Sequence, residues 1–144
     1  RVNDRRRENA LAVLALAFAE ELLPPFVHVL VSRFVASHNF NGFALLMENV
    51  ADNGLSEQIE VREGDLLHGT EGKADVIIAN IIADIVIMLL QDIPQKLNDD
   101  GVLLASGIIE ERMPDVEAAA QAQGLYVDAV DHRGGWVVMQ MKKK

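Results

Sequence analysis

The chain has 144 residues, half of them hydrophobic, which suits one domain with a single sizeable core and excludes a disordered chain. It has no cysteine, which excludes a disulfide framework, a thiolate metal site and a cysteine nucleophile, and which fits a reducing compartment. Residues 48–141 hold 18 acidic against 5 basic side chains, a balance of −13, so this body disfavours direct nucleic-acid binding and suits either a basic partner or simple solubility.

The most apolar stretch lies near the start, at residues 10–19, and follows a basic segment. A bilayer span needs roughly 20 apolar residues, and the acidic and proline residues at 20–25 end this run too early. We therefore expect a buried or partly buried helix and no membrane span, with an export signal as the alternative. The β-branched residues of segment 26–40 favour a strand.

From residue 47 onward, strand patterns and helix patterns alternate. A helix is expected to end at Asn53–Gly54, and Pro94 is expected to kink or shorten a later helix. The predicted strands are at 58–62, at about 76–78 (buried and parallel), at 102–106, and at 125–130 and 136–141, the last two joined by a hairpin. The predicted helices are at 83–97 and at 110–124, the second with Pro114 near its first turn. A turn is predicted at 99–101.

This order predicts a doubly wound α/β sheet whose final hairpin adds one antiparallel strand. In such a sheet, ligands bind beyond the carboxyl ends of the parallel strands. Asp65 and Asn80 fall at two of these ends. The Asn80 amide offers a C=O acceptor and NH₂ donors to a ligand, but it also suits a cap on the helix that follows, and the spacing leaves both interpretations open.

Five short segments, in order and with characteristic gaps, resemble one family. They are "MENVADNG", "GDLL", "ANIIA", "LLASGII" and "GGW". Together they resemble the C-terminal domain of the PrmA family, the ribosomal protein L11 methyltransferases, over about residues 47–144. The resemblance implies a single Rossmann-like S-adenosylmethionine-dependent methyltransferase domain with a C-terminal antiparallel hairpin. It also implies a cytoplasmic enzyme that methylates amino groups, of lysine or the N-terminus, on a basic ribosomal protein.

The resemblance also implies which residues form the site. The Asn of the family's N-I-hydrophobic-A motif lies beside the methyl donor, and it corresponds to Asn80, the expected catalytic and cofactor-binding residue. Asp65 and Leu66 are expected to contact S-adenosylmethionine. Ser106 and Gly107 either shape the substrate side or form a strand-to-helix turn, and we prefer the turn. The four scattered histidines show no metal-ligand spacing, so no metal site is expected.

Two further expectations concern packing. Trp136, the single tryptophan, is expected to anchor the core of the last hairpin. The methionines Met88, Met139 and Met141 are expected to fill the core.

Residues 1–45 depart from the family. Its Gly-rich donor loop should fall near residues 13–19, and its ribose-binding acid near 36–40, but the first glycine is Gly42 and segment 36–40 has no acid. The family's N-terminal substrate-recognition domain is not matched either. This segment is therefore either divergent or frameshifted: the codons of residues 12–18, read two bases later, permit Gly-Thr-Gly-Ser-Gly-Ile.

These departures leave the catalytic state open. One alternative to the enzyme is a catalytically dead or truncated methyltransferase-fold fragment. Another is a methyltransferase with a different acceptor.

Overall fold

A computed structural model of the chain describes residues 29–31, 47–48, 50–57, 59 and 66–144. The expected N-terminal helix at 10–19, the sites of the Gly-rich loop and of the ribose-binding acid, and Asp65 lie outside the described residues, as does most of the expected strand at 58–62. Every helix in the described ranges is too short to span a bilayer.

The described strands form one sheet. They are β1 (Val29–Val31), β2 (Ala74–Asn80), β3 (Leu97–Ile109), β4 (Leu125–Arg133) and β5 (Trp136–Lys143), in the spatial order β1-β2-β3-β5-β4. β1, β2 and β3 are parallel, whereas β5 runs antiparallel to both β3 and β4. The predicted α/β sheet with a C-terminal antiparallel hairpin is therefore confirmed.

Helices connect the strands on the core face of the sheet. Helices α1 (Ala83–Leu89) and α2 (Ile93–Lys96) lead from β2 to β3, and a 3₁₀ turn (Glu110–Arg112) with α3 (Met113–Ala122) leads from β3 to β4. Val86 of α1 and Val116 of α3 are fully buried in one cluster with Ile77, Leu103 and Met139 of the sheet. Alternate residues in the middle of β3 and along β5 therefore face this core, as the period of two requires.

The predicted helix over 83–97 is divided in two. α1 ends at Leu89, and Pro94 lies in the first turn of α2. Proline has no N–H and clashes inside a helix, but it is tolerated in a first turn, where the N–H has no partner anyway. The predicted turn at 99–101 is wrong, because these residues belong to β3. Ala74 pairs with Leu97 and Val76 with Val102, so residues 98–101 form a bulge in the strand.

The final hairpin turns at Gly134 and Gly135, whose φ angles are 59° and 81°. Positive φ at both central residues is the requirement of a type I′ turn, which matches the twist of the strands and explains the glycine pair. Arg133 pairs with Trp136 directly beside the turn. The predicted hairpin is confirmed.

Two packing expectations are wrong. Trp136 is 53% exposed, because Val137, Met139 and Met141 take the core positions of β5 and the alternation turns Trp136 to the other face. Met88 is 54% exposed on α1, whereas Met139 and Met141 are fully buried as predicted.

An ion pair on the hairpin gives the fold a testable pH dependence. The Lys142 ammonium lies 2.7 Å from the Asp128 carboxylate, and its hydrogen bond holds the pKa of Asp128 below the ordinary value. A depressed folded-state pKa contributes stability above the unfolded-state pKa, and that contribution is lost as pH falls through the folded-state pKa. Both side chains are about one-third exposed, so solvent screens the pair and the effect is small.

We therefore expect acid to destabilise the wild-type chain slightly more than the Asp128→Asn variant as the pH falls below the ordinary aspartate pKa of 3.8. Urea denaturation across this range measures the difference. Asp131→Asn is the matched control, because within the described residues no ion pair reaches Asp131, which lies exposed on the same strand. Identical acid sensitivity of the wild type and the Asp128 variant would contradict this prediction.

Candidate functional site

Asn80 is the last residue of β2 and lies at the carboxyl edge of the parallel strands. It pairs in register with Ser106 of β3, and the Ile81 N–H donates to the Ser106 carbonyl at 3.1 Å. The strand pairing is thus held one residue beyond Asn80, before the chain enters α1. Asn80 itself is exposed. This is the edge of an open α/β sheet at which ligands bind.

The Asn80 side chain does not cap the helix that follows. The N-cap of α1 is Ile82, with φ −65° and ψ 155°, and no side chain caps it with a hydrogen bond. Within the described residues, no hydrogen bond engages the Asn80 amide group. The capping alternative is therefore wrong, and no described residue engages the C=O acceptor or the NH₂ donors that a ligand would use.

Ser106 and Gly107 lie beside Asn80 in a bulge and not in a strand-to-helix turn. Ala105 pairs with Met139 and Ile108 with Val137, so one extra residue is present on β3. Gly107 has a φ of +79°, in the left-handed region that favours glycine. The preferred turn interpretation is therefore wrong, because β3 continues to Ile109.

Leu66 has an unusual backbone. Its φ is 52°, and it is the only non-glycine residue with positive φ in the described part of the chain. It is half-buried and packs on the core next to the fully buried Leu67. Such a conformation costs free energy in a branched residue, and strained residues cluster at ligand sites. Asp65, its neighbour, lies outside the described residues, and the cofactor contacts of both residues stay predictions.

Arg112 links the two helices next to this edge, and the sequence alone did not indicate it. Its guanidinium donates to Asp84 at the start of α1 and to Asp115 at the start of α3, both at 2.7 Å. These hydrogen bonds raise the pKa of Arg112. Asp84 is 28 residues away in the chain, so no local pattern could have paired it with Arg112.

Exposed apolar side chains surround the same edge. Ile82 is 62% exposed, Ile109 is 42% exposed, and Trp136, which pairs with Ile109, is 53% exposed. Within the described residues no group of acidic and histidine side chains could hold a metal. A neutral amide with apolar neighbours suits a ligand that is partly polar and partly apolar.

A family model described as "Ribosomal protein L11 methyltransferase (PrmA)" matches residues 43–144. The chain belongs to the PrmA family. The matched region contains β2 to β5, Leu66 and the Asn80 edge. The family predicted from the five sequence segments is thus confirmed, and residues 1–42 lie outside the match.

Individual PrmA relatives agree with this assignment. Ribosomal protein L11 methyltransferase of Desulfitobacterium hafniense is 43% identical over 95 residues, which cover 66% of this chain and 30% of that protein. The enzyme of the same name from Caldanaerobacter subterraneus subsp. tengcongensis is 44% identical over 97 residues, covering 67% of this chain and 31% of that protein. The matched region therefore spans about a third of the length of these curated relatives.

Solved structures show the same fold. The crystal structure of ribosomal protein L11 methylase from Lactobacillus delbrueckii subsp. bulgaricus has a TM-score of 0.75 at 28% identity, covering 90% of this chain and 64% of that one. An O-methyltransferase from neocarzinostatin biosynthesis, in complex with S-adenosylmethionine, has a TM-score of 0.66 at 15% identity, covering 92% and 45%. The chain therefore has the Rossmann-like methyltransferase fold that this family shares with other methyltransferases.

Proposed function

We propose that this chain carries the catalytic edge of an S-adenosylmethionine-dependent methyltransferase that acts on lysine or N-terminal amino groups of a ribosomal protein in the cytoplasm. One observation supports this most directly. The Asn80 amide lies exposed, without a hydrogen bond in the described part of the chain, at the carboxyl edge of the family-matched sheet.

The described residues at the carboxyl edge of the sheet suit S-adenosylmethionine as the methyl donor. S-adenosylmethionine, when bound, supplies an electrophilic methyl group on a sulfonium sulfur. Asn80, Asp65 and Leu66 are the residues proposed to hold it. The glycine at 107 lets β3 lie close to Asn80, since a Cβ there would be 3.1 Å from Asn80 Oδ1.

The chemistry of an amide suits an amine acceptor. The nitrogen must be neutral to attack, so the group that orients it should accept an N–H without favouring the ammonium ion. The Asn80 C=O does this, whereas a carboxylate at the same place would raise the pKa of the amine. Orientation of the reacting atoms supplies much of the rate enhancement in such a reaction.

The charge of the domain supports a basic acceptor protein. Residues 48–141 carry a balance of −13, and this field steers a positively charged partner towards the sheet. The names of the relatives specify ribosomal protein L11 as the protein that those enzymes methylate.

A second candidate is a methyltransferase-fold fragment that binds no donor. The sequence observation that favours it is the absence of any glycine before Gly42, where the family's Gly-rich loop should lie. Without glycines the backbone cannot approach the cofactor in the way that this loop requires.

A methyl-transfer assay separates the two candidates. The chain is incubated with isotopically labelled S-adenosylmethionine and purified ribosomal protein L11, and mass spectrometry locates the label. We expect label on amino groups, and none when the amines of the acceptor have first been acetylated. Donor binding with label on other groups would contradict the amine specificity. Absence of both donor binding and transfer would favour the second candidate.

A further inference from the structure

We propose that Gly107 is a positioning residue for Asn80. Gly107 lies in a bulge of β3 and has no side chain. The Asn80 amide and the Ile81 peptide therefore pack against it in one orientation. The effect of Gly107 on the reaction rate rests on the proposed function. Its effect on the orientation of the Asn80 amide does not depend on that function.

Atoms of Asn80 and Ile81 lie against the position that a Cβ on Gly107 would occupy. An ideal Cβ on Gly107 would lie 2.9 Å from the Ile81 carbonyl oxygen, 3.1 Å from Asn80 Oδ1 and 3.1 Å from the Ile81 nitrogen. Two of these three atoms are backbone, so they cannot move away as the end of a flexible side chain would. The Asn80–Ile81 peptide is itself held to β3, because the Ile81 N–H donates to the Ser106 carbonyl at 3.1 Å.

Other glycines with a similar backbone lack this constraint. Gly124 has a φ of +75° and Gly135 a φ of +81°, close to the +79° of Gly107, but no atom lies within 4 Å of the Cβ position of either. Conformational freedom alone therefore explains Gly124 and Gly135. At Gly107 the chain needs both positive φ and an empty Cβ position. The atoms that require the empty position belong to Asn80, the candidate catalytic residue, and to Ile81.

A methyl group at position 107 would consequently displace the Asn80–Ile81 peptide or rotate the amide. The Asn80 oxygen would then leave the direction in which it orients the acceptor amine. Misplacement of a reacting group by about 1 Å costs on the order of 10²-fold in rate. The residue acts through Asn80, so its effect should vanish when Asn80 is absent.

The test compares Gly107→Ala with Gly124→Ala, which adds the same methyl group at a similar φ where no atom is near. Side-chain amide resonances of ¹⁵N-labelled protein report the Asn80 environment, with those of Asn98 as an internal reference. We expect Gly107→Ala to shift the Asn80 resonances and to lower kcat by about 10²-fold. Gly124→Ala should leave both unchanged. A folded Gly107→Ala variant with unshifted Asn80 resonances would overturn the inference.

Two further measurements keep the test decisive. If Gly107→Ala does not fold, the wild-type chain should still show a nuclear Overhauser contact between the Gly107 Hα protons and the Asn80 side-chain NH₂, and its absence would overturn the inference. In the Asn80→Ala background, Gly107→Ala should cause little additional loss of kcat, whereas a merely structural role would be additive. If the wild type transfers no methyl group, the proposed function fails, but the resonances and the Overhauser contact still test the positioning.

Discussion

Replacement of Asn80 with alanine is expected to lower the rate of methyl transfer by about 10²-fold without changing the stability of the fold. The rate falls because the amide that orients the acceptor amine is lost. Stability is kept because Asn80 is exposed and its amide makes no hydrogen bond to a described residue. Single-turnover rates with labelled donor and urea denaturation of the same samples measure the two effects.

A matched control and a second substitution sharpen this prediction. Gln91→Ala removes another exposed amide, after the end of α1, and should change neither rate nor stability. Asn80→Asp keeps the size but introduces a carboxylate, which raises the pKa of a nearby amine. Its activity should be low at neutral pH and recover partly as pH rises. Wild-type rates in Asn80→Ala would show that the amide does not orient the acceptor.

Replacement of Leu103 with alanine is expected to reduce the free energy of unfolding by about 2–5 kcal/mol. Leu103 is fully buried in the middle of β3 and pairs with Ile77 on one side and Met141 on the other, both of which are fully buried. Removal of its side chain loses apolar contacts and leaves a cavity that three paired strands cannot easily close. Urea denaturation gives the difference from the change in midpoint at constant slope.

Leu104→Ala is the control for this prediction. It makes the same chemical change at the next residue of the same strand, but Leu104 faces away from the α1–α3 core and is only half-buried. Its loss of stability should be clearly smaller. Equal losses at the two positions would mean that both faces of β3 are packed equally, contrary to the burial pattern of the described strands.

Local patterns predicted the parts of the fold in which sequence neighbours determine the structure. The apolar run around Ile77 indicated a buried parallel strand, and Gly134–Gly135 indicated the hairpin, whose turn requires positive φ. The position of Asn80 at a strand end followed from the same reasoning. The family segments then predicted the fold, which is confirmed, and S-adenosylmethionine as the donor, which stays a proposal; periodicity alone provides neither.

The wrong predictions concern residues whose position depends on contacts with distant parts of the chain. Trp136 is exposed because the alternation of β5 is set by pairing with β3, and the large apolar side chain alone wrongly suggested a core position. The Gly107 bulge depends on the register between β3 and β5, and Arg112 on a partner 28 residues away. The spacing of neighbouring residues in the sequence does not predict the exposure of Trp136, the bulge at Gly107 or the ion pair of Arg112.

Titration of the purified chain with S-adenosylmethionine by calorimetry, with Asn80→Ala in parallel, tests the central proposal most directly. The single tryptophan, Trp136, is exposed and pairs with Ile109 at the end of β3, so its fluorescence is recorded in the same titration. We predict micromolar binding to the wild-type chain that weakens in the variant. No binding at millimolar donor would contradict the proposal and leave a PrmA-family fold without the chemistry of its relatives.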